Sequence, residues 1–113
     1  MDWQFGIDSI AHNTAINCGG STIAVLPSGF ECIYPKENKE LYKRILSNSG
    51  TGVTEYSPKT HADSSKFLKR NRIVTGLSIA VLVIEAEYRS GTSVTAKLAF
   101  EQGRSVYSIP RRY

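Results

Sequence analysis

Between residues 66 and 72 the chain reads "KFLKRNR", so that Lys66, Lys69, Arg70 and Arg72 place four cations in seven positions, with Phe67 among them and Asn71 between the arginines. Cations attract phosphate, and an aromatic ring among them offers a face on which a base stacks at roughly 1–3 kcal/mol, the combination that holds single-stranded nucleic acid without reading its sequence. A second reading makes Phe67 a core anchor for the preceding loop. Placing residues 69–78 on a helix at about 100° per residue gathers Ile73, Val74 and Leu77 on the buried face, with Arg70 on the same face one turn earlier, at the helix start. An inward guanidinium without a counter-ion costs several kcal/mol. Arg70 therefore calls for an anion, either an external phosphate or an internal carboxylate such as Glu55 or Glu85. Lys69 and Asn71 flank that face, whereas Arg72 projects opposite it, where solvent satisfies it equally well.

A second candidate is "RSGTS", residues 89–93, between an apolar run and a helical pattern. Arg89, Ser90, Gly91 and Thr92 would bring a glycine and hydroxyls to a helix N-terminus, whose free N–H groups and positive dipole end suit a phosphate. Ordinary capping explains the same residues; the nearby basic helix is what favours the phosphate reading. Glu55 and Glu85, at two strand ends, raise acid–base catalysis. Yet the chain has no nucleophile elbow and no GxGxxG or GxxxxGKS/T phosphate loop, so the carboxylates read better as partners for helix N-termini or arginines. Cys18, Cys32, His12 and His61 lack metal-ligand spacing, and the two cysteines are expected to be packed thiols in a reducing compartment. No catalytic residue, metal or cofactor is expected.

The elements that position these residues follow from periodicity. "IDSIAHNTAINC" (7–18) sets Ile7, Ala11, Thr14, Ala15 and Cys18 on one helical stripe, and Gly19-Gly20 supplies the stop. "TIAVL" (22–26) is a short buried strand. "KENKELYKRIL" (36–46) is an amphipathic helix after Pro35, with Leu41, Tyr42, Ile45 and Leu46 inward and Gly50 closing the unit. "GVTEY" (52–56) is the second strand, the second half of "IAVLVIEA" (79–86) the central one, "VTAKLAFEQ" (94–102) the last helix and "SVYSIP" (105–110) the last strand. The alternation αβαβαβαβ implies right-handed crossovers and a mostly parallel sheet with helices on both faces. Such sheets bind ligands at the carboxyl ends of their strands.

The chain, 113 residues long, suits a single domain, and its net charge of +4 and pI near 9.2 favour anionic partners in general. No apolar run approaches the ~20 residues of a membrane span, and "MDWQFGID" has neither the basic start nor the apolar stretch of a signal peptide. A cytoplasmic location without membrane contact is expected.

"GIDSIAH", "GGSTIAVLPSGFECIYPKEN", "EYSP", "FLKRNRIVTGLS" and "VLVIEAEYRSGTSVTAKLAFEQGRSVYSIP" together resemble the DNA-processing protein A (DprA, or Smf) family from about Gly6 to Pro110. The resemblance implies a Rossmann-like, three-layer αβα domain that binds single-stranded DNA, protects it during natural transformation and helps load the RecA recombinase, without enzymatic activity or metal. It places Arg70, Asn71 and Arg72 at or beside bound DNA, with Lys66, Phe67 and Lys69 at the rim. Family members carry a β-α-β unit with a Gly-Ser-Arg phosphate loop before "GID", where this sequence has "MDWQF". The expectation is therefore a single partial domain, residues 1–113, lacking that first unit, with weak DNA binding and a tendency to self-association or dimerisation. Two alternatives stand beside it. One is a nucleotide-cleaving relative of the cytokinin-activating phosphoribohydrolases, whose Pro-Gly-Gly-x-Gly-Thr signature is here "YRSGTS"; the other is a remnant without function.

Overall fold

The computed structural model describes residues 7–84 and 91–109, without the side chains of Ile7 and residues 91–95. Its elements, in chain order, are α1 (Ile7–Asn17), β1 (Ile23–Val25), a 3-10 turn (Phe30–Cys32), α2 (Lys36–Ser47), β2 (Thr51–Val53), α3 (Ser64–Gly76), β3 (Ala80–Val83), α4 (Gly91–Glu101) and β4 (Ser105–Ser108). Helices alternate with parallel strands throughout, the α/β class expected. The chain divides into two compact units, residues 1–66 and 67–113.

In the first unit β1 and β2 pair in parallel, Ile23 opposite Thr51 and Val25 opposite Val53, and α2 packs on both strands and on α1. Ile16, Ala24, Val25, Leu26, Ile33, Leu41 and Ile45 are buried, Ile45 to 1% exposure. Both loops leaving the strands are tied together. Leu26 N–H donates to the Val53 carbonyl, Gly29 N–H to Thr60, Glu31 N–H to Pro58, and the Thr54 hydroxyl to the Ser28 carbonyl at 2.7 Å. Gly29 is required by this approach, since a Cβ there would lie 2.0 Å from the Ser57 carbonyl oxygen.

Helix ends follow the chain's punctuation. At the end of α1, Gly20 N–H reaches the Ala15 carbonyl and Gly19 N–H that of Ile16, with Gly19 at φ 81°, the double bond of a Schellman stop. Gly103 and Arg104 repeat it after α4 through Phe100 and Ala99. After α2 the left-handed position falls on Ser49 (φ 64°) rather than Gly50, whose Cβ would instead meet the Thr22 carbonyl oxygen at 2.4 Å.

Two expectations for α1 fail. Ala11, Thr14 and Cys18 are exposed, and the buried side runs through Ser9, His12, Asn13 and Ile16. Polar partners explain the rotated face: His12 Nδ1 meets Thr22 Oγ1 at 2.7 Å, and the Arg44 guanidinium donates to both Asn13 and Asn17. Cys18 is thus a surface thiol, and Leu46, expected inward on α2, is exposed.

The second unit is a β-α-β crossover: β3 and β4 pair in parallel, Ala80 opposite Ser105 and Val83 opposite Ser108, with α4 against both. The strand expected in the second half of the apolar run begins in its first half and runs from Ala80 to Val83, paired with β4 in a two-stranded sheet; residues 85 and 86 lie outside the described residues. Ser78 N–H still bonds the Thr75 carbonyl at the end of α3, and the ladder to β4 begins at Ala80. Among the described residues, no helix is long and apolar enough to cross a membrane.

Candidate nucleic-acid interface

Helix α3 begins at Ser64, five residues before the expected start. Asp63 explains the difference: its Oδ1 accepts the Lys66 N–H at 2.9 Å and the Ser65 hydroxyl at 2.6 Å, the pattern of an Asp N-cap. Lys66 and Phe67 therefore lie in the first turn, and Arg70 sits a turn further in than expected. The Lys66 ammonium closes on Asp63 Oδ2 at 2.7 Å and lies 5.8 Å from the Tyr56 ring centroid. These bonds from Lys66, with that from Ser65, hold the Asp63 carboxyl well below the usual carboxylate range.

Arg70 is 7% exposed, on the inward face where the helical wheel puts it. Its Nε donates to Asn71 Oδ1 at 3.1 Å, and its guanidinium carbon lies 5.8 Å from the Phe67 ring centroid. A cation held over an aromatic face and by an amide oxygen has a fixed direction. Asn71 and Thr75 are the other buried side chains of α3, whereas Leu77 is 60% exposed and Ile73 and Val74 only half-buried. The most buried stripe is thus polar and turned from the expected one. Thr75 Oγ1 satisfies itself on the Asn71 and Arg72 carbonyls at 3.3 and 3.2 Å. Lys69 and Arg72 are exposed.

The C-terminal end of α3 is held from residues beyond α4. Arg104 donates to the Thr75 and Gly76 carbonyls at 3.3 and 2.8 Å, and Gln102 to the Arg72 carbonyl at 3.2 Å.

Arg89 and Ser90 lie outside the described residues, as does Glu85. Gly91 and Thr92 are the first two residues of α4, which starts three residues before the periodicity suggested, so the "SGT" glycine does open a helix. Glu55 is exposed. Among the described residues no group of three or more His, Cys, Asp or Glu is placed to hold a metal.

Sequence reasoning missed Asp63 and Tyr56, which surround Lys66. "DSSK" carried the cap signal, an Asp three residues before the N–H it receives. The Tyr56 contact joins residues ten positions apart across the loop before α3 and leaves no local trace.

The family model of DNA recombination-mediator protein A matches residues 4–113. Protein Smf of Escherichia coli K12 is 43% identical over 105 residues, covering 93% of this chain and 28% of that protein. DNA processing protein DprA of Streptococcus pneumoniae is 44% identical over the same length, covering 93% and 37%. The X-ray structure of the Streptococcus pneumoniae protein superposes with a TM-score of 0.84 at 40% identity, over 95% of this chain and 38% of that one. The Helicobacter pylori protein, whose structure concerns its single-stranded DNA binding mode, gives 0.75 at 20% identity, over 99% and 61%. The fold is thus Rossmann-like, as in these structures, and the chain spans between about a quarter and two fifths of the curated relatives it matches.

Proposed function

The chain belongs to the DNA recombination-mediator protein A family, and from that membership we propose that it is a single-stranded DNA-binding module of the recombination-mediator type, acting without catalysis. One observation carries the reading. Arg70 is buried, held by Asn71 and set over Phe67, on a helix that also presents Lys66, Lys69 and Arg72. A fixed guanidinium beside an aromatic ring, with further cations on the same helix, combines backbone attraction with base stacking and no sequence readout.

In this reading Arg70 meets a phosphate, Phe67 takes a base, and Asn71 orients Arg70. Lys66, Lys69 and Arg72 line the approach, and Arg89, Ser90, Gly91 and Thr92 seat a neighbouring phosphate at the N-terminus of α4. The relatives' names, DNA processing protein among them, support DNA as the ligand. Handing the strand to RecA in the cytoplasm, and self-association through exposed apolar side chains such as Leu82 and Tyr107, complete the proposal.

The test is binding of a fluorescent single-stranded oligonucleotide at two salt concentrations. The expected logarithmic salt slope is about −0.7 per phosphate neutralised. Arg70→Ala should weaken binding by roughly tenfold or more, from loss of a charge-assisted bond of about 1.5–3 kcal/mol; Phe67→Ala should cost a comparable amount without changing the slope. A folded chain that binds no oligonucleotide, or an Arg70→Ala variant that binds unchanged, would sink the reading.

A further inference from the structure

Lys66 does not stand in solvent awaiting a phosphate. Its ammonium lies 2.7 Å from Asp63 Oδ2 and over the Tyr56 ring, and its side chain keeps 25% of its exposure against 52% for Asp63. The same carboxylate caps α3 through the Lys66 N–H. One acid thus serves two purposes, and they are separable: asparagine and serine cap helices about as well as aspartate, but neither neutralises an ammonium.

We propose that Asp63 is an internal counter-anion that occupies Lys66 in the free protein and limits its affinity for a phosphate backbone. The inference rests on the single-stranded DNA reading. A phosphate approaching Lys66 has to take the ammonium from Asp63 or share it at a distance where the two anions repel. In either case Lys66 contributes less than a free lysine. The Tyr56 ring fixes where the ammonium rests, so the pairing is a held arrangement, not a chance surface encounter. Asp63 acts through Lys66 and is a positioning residue; it touches no ligand itself.

The experiment compares the wild-type chain with Asp63→Asn, Asp63→Ser, Lys66→Gln and the double variant Asp63→Asn/Lys66→Gln in oligonucleotide binding over a salt series. Glu101→Gln, the same charge change on α4, is the control for net charge. Circular dichroism shows whether α3 persists; Asp63→Ser removes the charge with a second capping residue should Asn fail to fold. Asp63→Asn is expected to tighten binding about two- to fivefold at low salt, the range of an exposed ion pair. It should also steepen the salt slope by about 0.7, one more phosphate contact. In the Lys66→Gln background the gain should vanish, and Glu101→Gln should reproduce neither effect. Unchanged or weaker binding by both Asp63 variants, or a gain that survives loss of Lys66, would overturn the inference while leaving the DNA reading intact. Failure of every folded chain to bind would overturn the DNA reading, and the inference with it.

Discussion

The two units use the same local device, a parallel strand pair with a packed helix, and bury different things with it. In the first, the interior is aliphatic, from Ile16 through Ile45, and a buried polar group such as Asn38 is satisfied by a neighbouring carbonyl, that of Tyr34 at 3.2 Å. In the second, Val83 and Ala99 are the buried apolar side chains among the described residues, while Arg70, Asn71 and Thr75 fill the most buried positions of α3. Both units expose large apolar side chains, Ile10, Ile23 and Tyr34 in the first and Ile79, Leu82, Phe100 and Tyr107 in the second. Burial of apolar groups needs no explanation beyond stability, whereas buried polar groups do. The contrast is between an aliphatic interior in the first unit and buried polar side chains on α3 in the second.

The comparison breaks most readily at the cores. Ile45→Ala should lose about 2–5 kcal/mol, measured by denaturant unfolding, against less than about 1 kcal/mol for Leu82→Ala. Equal losses would mean that both units bury their interiors alike.

Glycines sharpen it at a smaller scale. Gly29→Ala sets a Cβ against the backbone of Ser57 and Pro58 and should cost about 1–3 kcal/mol as the tied loops part. Gly76→Ala meets nothing nearer than Gln102 Nε2 at 3.8 Å. It should be neutral or stabilise by up to about 1 kcal/mol, read as a shift in melting temperature.

On the exposed side, Tyr107→Ser should alter unfolding stability by less than about 0.5 kcal/mol and lower any self-association seen by sedimentation at high concentration. An unchanged sedimentation profile would remove that patch from the proposal.

Acid titration gives the smallest effect. The Asp63 carboxyl is held below its ordinary range, so its contribution is complete above an unfolded value near about 3.9. It fades as pH falls through the lower folded value. Any difference in melting temperature between wild type and Asp63→Asn should therefore be present at neutral pH and close in acid.

Helix-strand alternation and the places of α1 and α2 were legible because Gly and Pro punctuate the chain and apolar spacing is strong there. The exposure of Ala11 was not. The face α1 buries is chosen by Arg44, whose bonds to Asn13 and Asn17 join residues far apart in sequence. The run 79–86 carries no internal marker, so periodicity had no means of placing β3 within it; pairing with β4 decides that. At the candidate site Arg70 was legible from the wheel, but the start of α3 was not, because the apolar pattern begins after the helix does. Asp63 sets that start.

Arg104 completes a pair of opposite charges at the two ends of α3. The carbonyls at a helix C-terminus carry roughly half a negative charge, and on α3 the guanidinium of Arg104 lies against them, on Thr75 and Gly76. Asp63 lies against the opposite end, so both poles of α3 carry a compensating charge. A residue thirty-four positions downstream of Arg70 thereby holds the last turn of the helix on which Arg70 sits.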